Sequence, residues 1–287
     1  MEKTEKAQYI RKPEWLKVKL PRGFKTAQVV ELLSQHGLNT ICSSGLCPNK
    51  GECWGRGTAT FMIGGNVCTR NCKFCNVTSG KPGPLKPQEL LDIVESVVNL
   101  KLKHIVITSV DRDDLPDYGA SHWCEVIRLL KGKCPGTTME VLIPDFRGRR
   151  DLIKQITDLQ PEVVSHNMET VRRLTPEVRS VATYDTSLAV VRQIAESGIR
   201  SKSGIMLGLG ETPDEVVETM RDLREAGCEV MTIGQYLQPS RRHYPVKEYV
   251  TPEKFAEYAA IGKEMGFRHI ESAPLVRSSY HAEKHIL

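Results

Sequence analysis

No apolar run in the 287-residue chain approaches the roughly 18 residues that a membrane-crossing helix needs, so nothing here is read as spanning a bilayer. Aromatic residues are scarce, at 6%, and no basic stripe runs between them, which argues against a nucleic-acid-binding surface. Net charge is mild: 40 Lys+Arg against 35 Asp+Glu gives +5, which permits an acidic partner without demanding one. The tightest basic runs are Arg147-Gly148-Arg149-Arg150, read as a solvated face or helix start, and Arg241-Arg242-His243, which follows Pro239 and is placed to line a site. No G-x-G-x-x-G follows the first predicted strand, which weakens a dinucleotide-binding reading. No Ser/His/Asp triad is evident, and the eight histidines are scattered without a convincing ligand pair. Internal repeats, low-complexity segments, and collagen-like or coiled-coil composition are all missing. Met1–Lys6 is charged and has no apolar segment behind it, so no signal peptide is expected and the chain is expected in the cytoplasm, a reducing compartment.

What the chain does have is nine cysteines. In a reducing compartment these point to metal or redox chemistry rather than to a disulfide framework. It is also long enough to bury about three quarters of its unfolded surface without staples.

Three stretches differ in texture. Residues 1–57 read as an irregular arm, broken at Pro13, Pro21 and Gly23, with one helix near Thr26–Gln35 and no periodicity over 40–57. From 58 to 272, short β-branched runs alternate with helical patterns. Strands are predicted at 60–63, 104–108, 139–143, 163–166, 203–207 and 230–233. Helices are predicted at 87–100, 120–130, 152–159, 188–197, 213–226 and 252–265. Alternation of this kind means a parallel sheet with right-handed crossovers. Six β–α units are too few for a closed eight-stranded barrel. The expected fold is therefore α/β, a curved, partly open (β/α)6 barrel. Residues 1–57 and the tail 273–287 would cover its open side or mouth, and the site would lie at the strands' C-terminal ends.

Cys68, Cys72 and Cys75 form C-x3-C-x2-C in the loop just after the first predicted strand. Three thiolates this close suit a zinc ion or three irons of a [4Fe–4S] cube. Zinc wants a fourth ligand, and no Cys or His lies nearby to supply one. A cube held by three cysteines keeps one iron open. Upstream, Cys42, Cys47 and Cys53 form a second set of three, C-x4-C-x5-C, for which zinc remains an alternative. Cys124, Cys134 and Cys228 stand singly and read as small buried hydrophobes.

C-x3-C-x2-C after strand one of a partial barrel resembles the radical S-adenosylmethionine enzymes. The preceding C-x4-C-x5-C and the terminal Arg277-Ser278-Ser279-Tyr280 resemble the lipoyl synthases within them. So do Val110-Asp111-Arg112-Asp113-Asp114-Leu115 and Glu140-Val141-Leu142-Ile143-Pro144-Asp145-Phe146. The likeness covers about residue 30 to 287. It implies two [4Fe–4S] clusters and S-adenosylmethionine. The Cys68/Cys72/Cys75 cube would bind adenosylmethionine and break its sulfonium bond. The second cube, on Cys42, Cys47, Cys53 and a serine best matched by Ser279, would be consumed as sulfur donor. Sulfur would enter at C6 and C8 of an octanoyl chain amide-linked to a lysine of a carrier domain. An electron donor of flavodoxin or ferredoxin type and cluster-rebuilding proteins would be further partners. Serine is a hard ligand on a soft iron–sulfur site, which makes it a sensible labile one. Strand ends supply candidates for the adenosylmethionine pocket: Thr108, Ser109, Glu140, Asn167, Glu169, Arg179 and Lys202. Glu140 needs a partner in its apolar strand, and Arg179 offers a fork to a carboxylate. A local cap or salt bridge is the competing reading of each. The two cysteine sets are expected to face each other across the barrel mouth. Rival readings are another sulfur-inserting radical enzyme, biotin-synthase-like or RNA-methylthiolating, and a non-catalytic iron–sulfur or zinc module.

Overall fold

A computed structural model describes residues 11–18, 24–56 and 58–286. The expected breaks at Pro21 and Gly23, and the charged stretch Met1–Lys6, lie outside them. Helices α1 (Phe24–Gln35), α2 (Ile41–Ser44) and α3 (Lys50–Gly55) lead into strand β1 (Thr60–Ile63). The chain continues through β2 (Val67–Cys68), β3 (Thr78–Ser79), α4 (Pro87–Asn99), β4 (His104–Ser109), α5 (Ala120–Lys133), β5 (Thr138–Leu142), α6 (Arg150–Thr157) and β6 (Val163–Ser165). It ends with α7 (Thr175–Val178), α8 (Tyr184–Glu196), β7 (Arg200–Leu207), α9 (Pro213–Glu225), β8 (Val230–Gln235), α10 (Pro252–Glu264) and β9 (His269–Ser272). Local chemistry sets the helix starts. Thr212 accepts from the Glu215 N–H while the Glu215 carboxylate accepts from the Thr212 N–H, and Pro213 fills the first helical position.

One sheet of seven strands runs β1-β4-β5-β6-β7-β8-β9, and every pairing is parallel. Among the described residues no pairing joins β9 back to β1. The sheet is nonetheless strongly curved. His285 lies 3.8 Å from Glu140 on β5, and its ring centroid is 4.7 Å from that of His269 on β9. Strands about 4.8 Å apart would separate β5 from β9 by roughly 19 Å on a flat sheet. One side chain touches both only if the sheet bends around it. The expected partly open barrel is thus the observed architecture, with a seventh strand added. β9 escaped the sequence reading because it is short and places His269 and Glu271 on the inner face beside Thr232, which removes the apolar run. The short parallel pair β2–β3 and the helices α2 and α3 inside the supposedly irregular 40–57 stretch were likewise not expected.

The outer face of the sheet carries the core. Phe61, Ile63, Ile105, Ile107, Val141 and Val164 pack under α4, α5 and α6, while Ile205, Leu207, Met231 and Ile233 pack under the later helices. The inner face is polar, carrying Thr60, Thr108, Glu140, Ser165, Lys202 and Thr232 among its buried residues. The C-terminal tail runs along this inner face. It passes the end of β8 through a gap that requires Gly234, since a Cβ there would collide with the Val276 carbonyl. Gln235 N–H donates to the Pro274 carbonyl at 3.1 Å, and Arg200 Nη1 donates to the His285 carbonyl at 2.6 Å near the strands' other end.

Candidate iron–sulfur and adenosylmethionine site

The Cys68–Cys75 loop is closed at its base by β2 and β3, with Cys68 opposite Ser79. It is stitched to the segment after β4. Thr69 N–H donates to the Asp111 carbonyl at 3.1 Å, and Asp113 N–H donates to Thr69 Oγ1 at 3.0 Å. Arg70, 5% exposed, is the centre of this attachment. Its guanidinium forks onto Asp113 at 2.8 and 2.9 Å and onto Asp145, past the end of β5, at 2.9 and 2.7 Å. Asp111 lies 3.3 Å away. A buried guanidinium needs such partners, and they fix the loop to two strand ends at once. The Cys68 sulfur accepts N–H groups from Arg70 and Asp111 at 3.4 and 3.3 Å, the type of contact that tunes cluster sulfurs. Cys72 lies 3.7 Å from the Ser180 hydroxyl.

Burial, and then the charges of Asp111 and neighbouring thiolates, push the free Cys68 thiol up to about 11. Burial and its two companions push Cys75 to about 12. Bound metal would reverse this by taking the thiolates. Among the described residues, neither cysteine set brings its three sulfurs within 4.8 Å of one another. A structural zinc wants four ligands, and each set offers three sulfurs, which suits a cube that keeps one iron open. A cube, whose ligands sit on separate irons, spaces its cysteines more widely.

Cys42 sits on α2, which Thr40 caps, Cys47 in the turn that follows, and Cys53 on α3. All three line one cavity of about 690 Å³, together with Thr60, Arg277 and Ser279. Thr60 Oγ1 donates to Ser279 Oγ at 2.8 Å, and Asn49 Nδ2 donates to the Leu275 carbonyl at 2.7 Å. Burial, then Cys42 and Cys47, raise Cys53 to about 12; burial and then Cys42 raise Cys47 as well, against a smaller opposing pull from the Arg277 charge. This set is not on the rim of the mouth as expected. It lies along the open edge of the sheet, where Thr40 bridges to Phe61 of β1, and its cavity reaches His104 at the start of β4. The edge is the free side of β1, so the arm packs there. A hydrogen bond of 2.8 Å from Asn76 Nδ2 to the Ser44 carbonyl joins the two cysteine loops.

Of the strand-end candidates, Asn167, Glu169 and Arg179 come together. Asn167 Nδ2 donates to Glu169 at 3.1 Å and to Ser278 Oγ at 2.8 Å; Arg179 Nη1 donates to the Asn167 carbonyl at 3.2 Å. Glu169 holds a left-handed backbone (φ 69°) and is close enough to Cys75 for its charge to raise that thiol. Burial raises the Glu169 carboxyl itself. Asn167 Oδ1 and Arg179 Nε are buried without a hydrogen-bond partner. Orphaned polar atoms are costly unless a ligand satisfies them, so this corner fits a small zwitterion. Thr108 and Ser109 close β4 at the same, C-terminal end of the strands, although the Thr108 hydroxyl is taken by the Leu142 carbonyl.

Glu140 and Lys202 do not join them. Lys202 Nζ lies 2.7 and 2.8 Å from the two Glu140 oxygens, and both residues are fully buried. Burial would raise the Glu140 carboxyl, but Lys202 and then His285 hold it well below the usual range. The partner that Glu140 needed is thus a lysine two strands away, and neither residue is open to a ligand. Sequence reasoning missed His285, which sits 3.0 Å from Lys202 Nζ. It also missed the bridging role of Asn76 and of Thr60.

The family model described as the radical SAM superfamily matches residues 62–223, more than half of the chain. A lipoyl synthase of Treponema denticola is 65% identical over 277 residues, covering 96% of each chain. One of Parabacteroides distasonis is 61% identical over 280 residues, covering 98% of this chain and all of that one. Among solved structures, methylornithine synthase (PylB) has a TM-score of 0.57 at 11% identity, over 90% of this chain and 88% of that one, a likeness of fold. No helix among the described residues is long and apolar enough to cross a membrane. Loop, barrel and relatives agree: the chain belongs to the lipoyl synthase family of the radical S-adenosylmethionine superfamily, enzymes that insert sulfur at C6 and C8 of a protein-bound octanoyl chain.

Proposed function

We propose that Cys68, Cys72 and Cys75 hold the [4Fe–4S] cluster that binds S-adenosylmethionine, and that Cys42, Cys47, Cys53 and Ser279 hold a second one that donates the sulfur. When bound, the first cluster supplies the electron that breaks the sulfonium C–S bond. Asn167, Glu169 and Arg179 orient adenosylmethionine, Arg179 toward its carboxylate and Glu169 toward its ammonium group, with Thr108 and Ser109 at the edge of the pocket. Arg70 and its aspartates keep the loop rigid, so that the radical forms at one place relative to the substrate. Ser279 would give the second cluster one hard oxygen ligand beside three thiolates, and so its most labile attachment.

The observation that carries this reading is the shared cavity. Cys42, Cys47 and Cys53 line it with Ser279, which reaches them from the opposite end of the sequence. The division into an arm (1–57), a barrel (58–272) and a tail (273–287) follows, since arm and tail build the second site and the barrel the first. The substrate is an octanoylated carrier domain. A flavodoxin- or ferredoxin-type reductant and cluster-rebuilding proteins complete the cycle, in the cytoplasm. Anaerobic reconstitution with iron and sulfide, followed by assay on an octanoyl-lysine peptide, tests the reading. About eight irons per chain and a dithiolated product are expected; four irons, or adenosylmethionine cleavage without thiolation, would overturn it.

A further inference from the structure

The Arg241-Arg242-His243 run is left unused by either site. It lies in the segment after β8, at the C-terminal end of the strands, against the Cys68 loop. His243 Nε2 is 3.1 Å from the Cys75 carbonyl, and its Nδ1 is 2.8 Å from the Ser240 hydroxyl. Tyr244 N–H donates to the Lys73 carbonyl at 2.8 Å. Residues 240–247 carry Arg241, Arg242 and Lys247 and no acid; Lys73 adds a fourth cation from the cysteine loop itself. All four cations are exposed. Among the described residues, none of them has an ion pair. Four other exposed arginines are neutralised, Arg147 by Asp113, Arg150 by Glu196, Arg172 by Asp185 and Arg173 by Glu215; Arg128, Arg192 and Arg221 are exposed without an ion pair too, but they stand singly on helices rather than clustered beside the cysteine loop. The acids beside this segment are Glu177, engaged by the Tyr244 hydroxyl at 3.0 Å, Glu211, whose carboxylate accepts from the Gly208 and Leu209 N–H groups, and Glu248, which follows it.

We propose that this surface docks an acidic one-electron carrier protein, and that the electron enters the Cys68 site through the Lys73–Cys75 stretch. The proposal rests on the reading of that site given above. Each cleavage consumes one electron. The carrier is oxidised by one electron; adenosylmethionine is the final acceptor, its C–S bond breaking to methionine and a 5′-deoxyadenosyl radical. Unpaired exposed cations steer an acidic partner and raise its association rate. The backbone contacts of His243 and Tyr244 put that partner directly against the cluster-binding loop. An octanoyl carrier must instead feed its chain toward both cysteine sets, whereas this segment touches only the Cys72–Cys75 side of one.

The test compares two electron sources on the reconstituted enzyme, with 5′-deoxyadenosine as the readout. Arg241→Glu/Arg242→Glu should cleave adenosylmethionine at the unaltered rate with dithionite. With reduced flavodoxin as the acidic carrier its rate should fall by about tenfold or more, the scale on which electrostatic steering acts. The flavodoxin-driven rate of the unaltered protein should also fall with added salt, and that of the variant should not. A salt-independent flavodoxin rate in the unaltered protein overturns the proposal without needing any variant. So does a milder Arg241→Gln/Arg242→Gln protein with full flavodoxin-driven activity. If flavodoxin-driven cleavage survives while thiolation of an octanoylated carrier is lost, the surface binds the carrier and the proposal is wrong. Failure of the unaltered protein to cleave adenosylmethionine with dithionite would instead sink the reading of the site itself.

Discussion

Asn76, next to Cys75, donates through its side-chain amide to the carbonyl of Ser44, two residues after Cys42, at 2.8 Å. One hydrogen bond thus joins the two cysteine loops and sets where one site lies relative to the other. Sulfur transfer to a carbon radical needs near-contact distances, so this join serves the chemistry as well as the fold.

Removing one set of thiolates should separate the two halves of the reaction. Alanine at Cys68, Cys72 or Cys75 should abolish 5′-deoxyadenosine formation. Alanine at Cys42, Cys47 or Cys53 should leave that product and stop thiolation, with iron falling from about eight to about four per chain. Equal loss of cleavage in both folded sets would contradict the division of labour.

Ser279 is a separate test, because its hydroxyl already has a partner in Thr60 at 2.8 Å. Cysteine at 279 should still assemble the second cluster but slow thiolation, since a fourth soft ligand removes the weak point. Alanine there should give a less stable cluster. Adenosylmethionine cleavage should survive in both. Normal yields of 5′-deoxyadenosine and of thiolated product from Ser279→Cys would show that lability at this position is irrelevant.

Lys202→Met would strand the fully buried Glu140 carboxylate, and a cost of about 3–5 kcal/mol in urea unfolding is expected. The double variant Lys202→Met/Glu140→Gln should recover much of that loss, because the uncompensated charge is gone. A single variant as stable as the parent would mean that the pair is not buried in solution.

Acid should weaken the fold through His166. Burial, and then the charge of Arg179, lower this imidazole from 6.5 to about 4, so it stays neutral in the folded chain. Between those values the unfolded chain binds a proton that the folded one refuses. Stability is therefore fully present above pH 6.5 and declines as pH falls toward 4, by about 3 kcal/mol from this group. His104 and His285 are lowered by burial and act in the same direction; Asp111 and Glu169, raised by burial, act in the opposite one. Denaturant unfolding at pH 7 and pH 5 should show a smaller drop for His166→Gln than for the parent. Equal drops would remove His166 as a cause.

Much of the barrel was legible because its strands and helices are local statements. The β-branched run at 104–108 and the Thr–Pro starts of α9 and α10 depend on near neighbours only. The three-thiolate loop was legible for the same reason, since its ligands lie within eight residues. β9 was not, because its polar inner residues are chosen by what fills the barrel rather than by a strand's own pattern. Glu140 and Lys202 show the limit most plainly: both were read as ligand contacts, and the curvature of the sheet brought them together across β6. The sequence by itself determined the order of the six β–α units, the family and the cysteine sets. Only the tertiary structure decided that Ser279 meets Cys42, Cys47 and Cys53 in one cavity, that the second set lines the free edge of β1, and that Asn167, Glu169 and Arg179 share a corner. Those meetings are set by how far the sheet bends and where the tail threads it, which no spacing along the chain encodes.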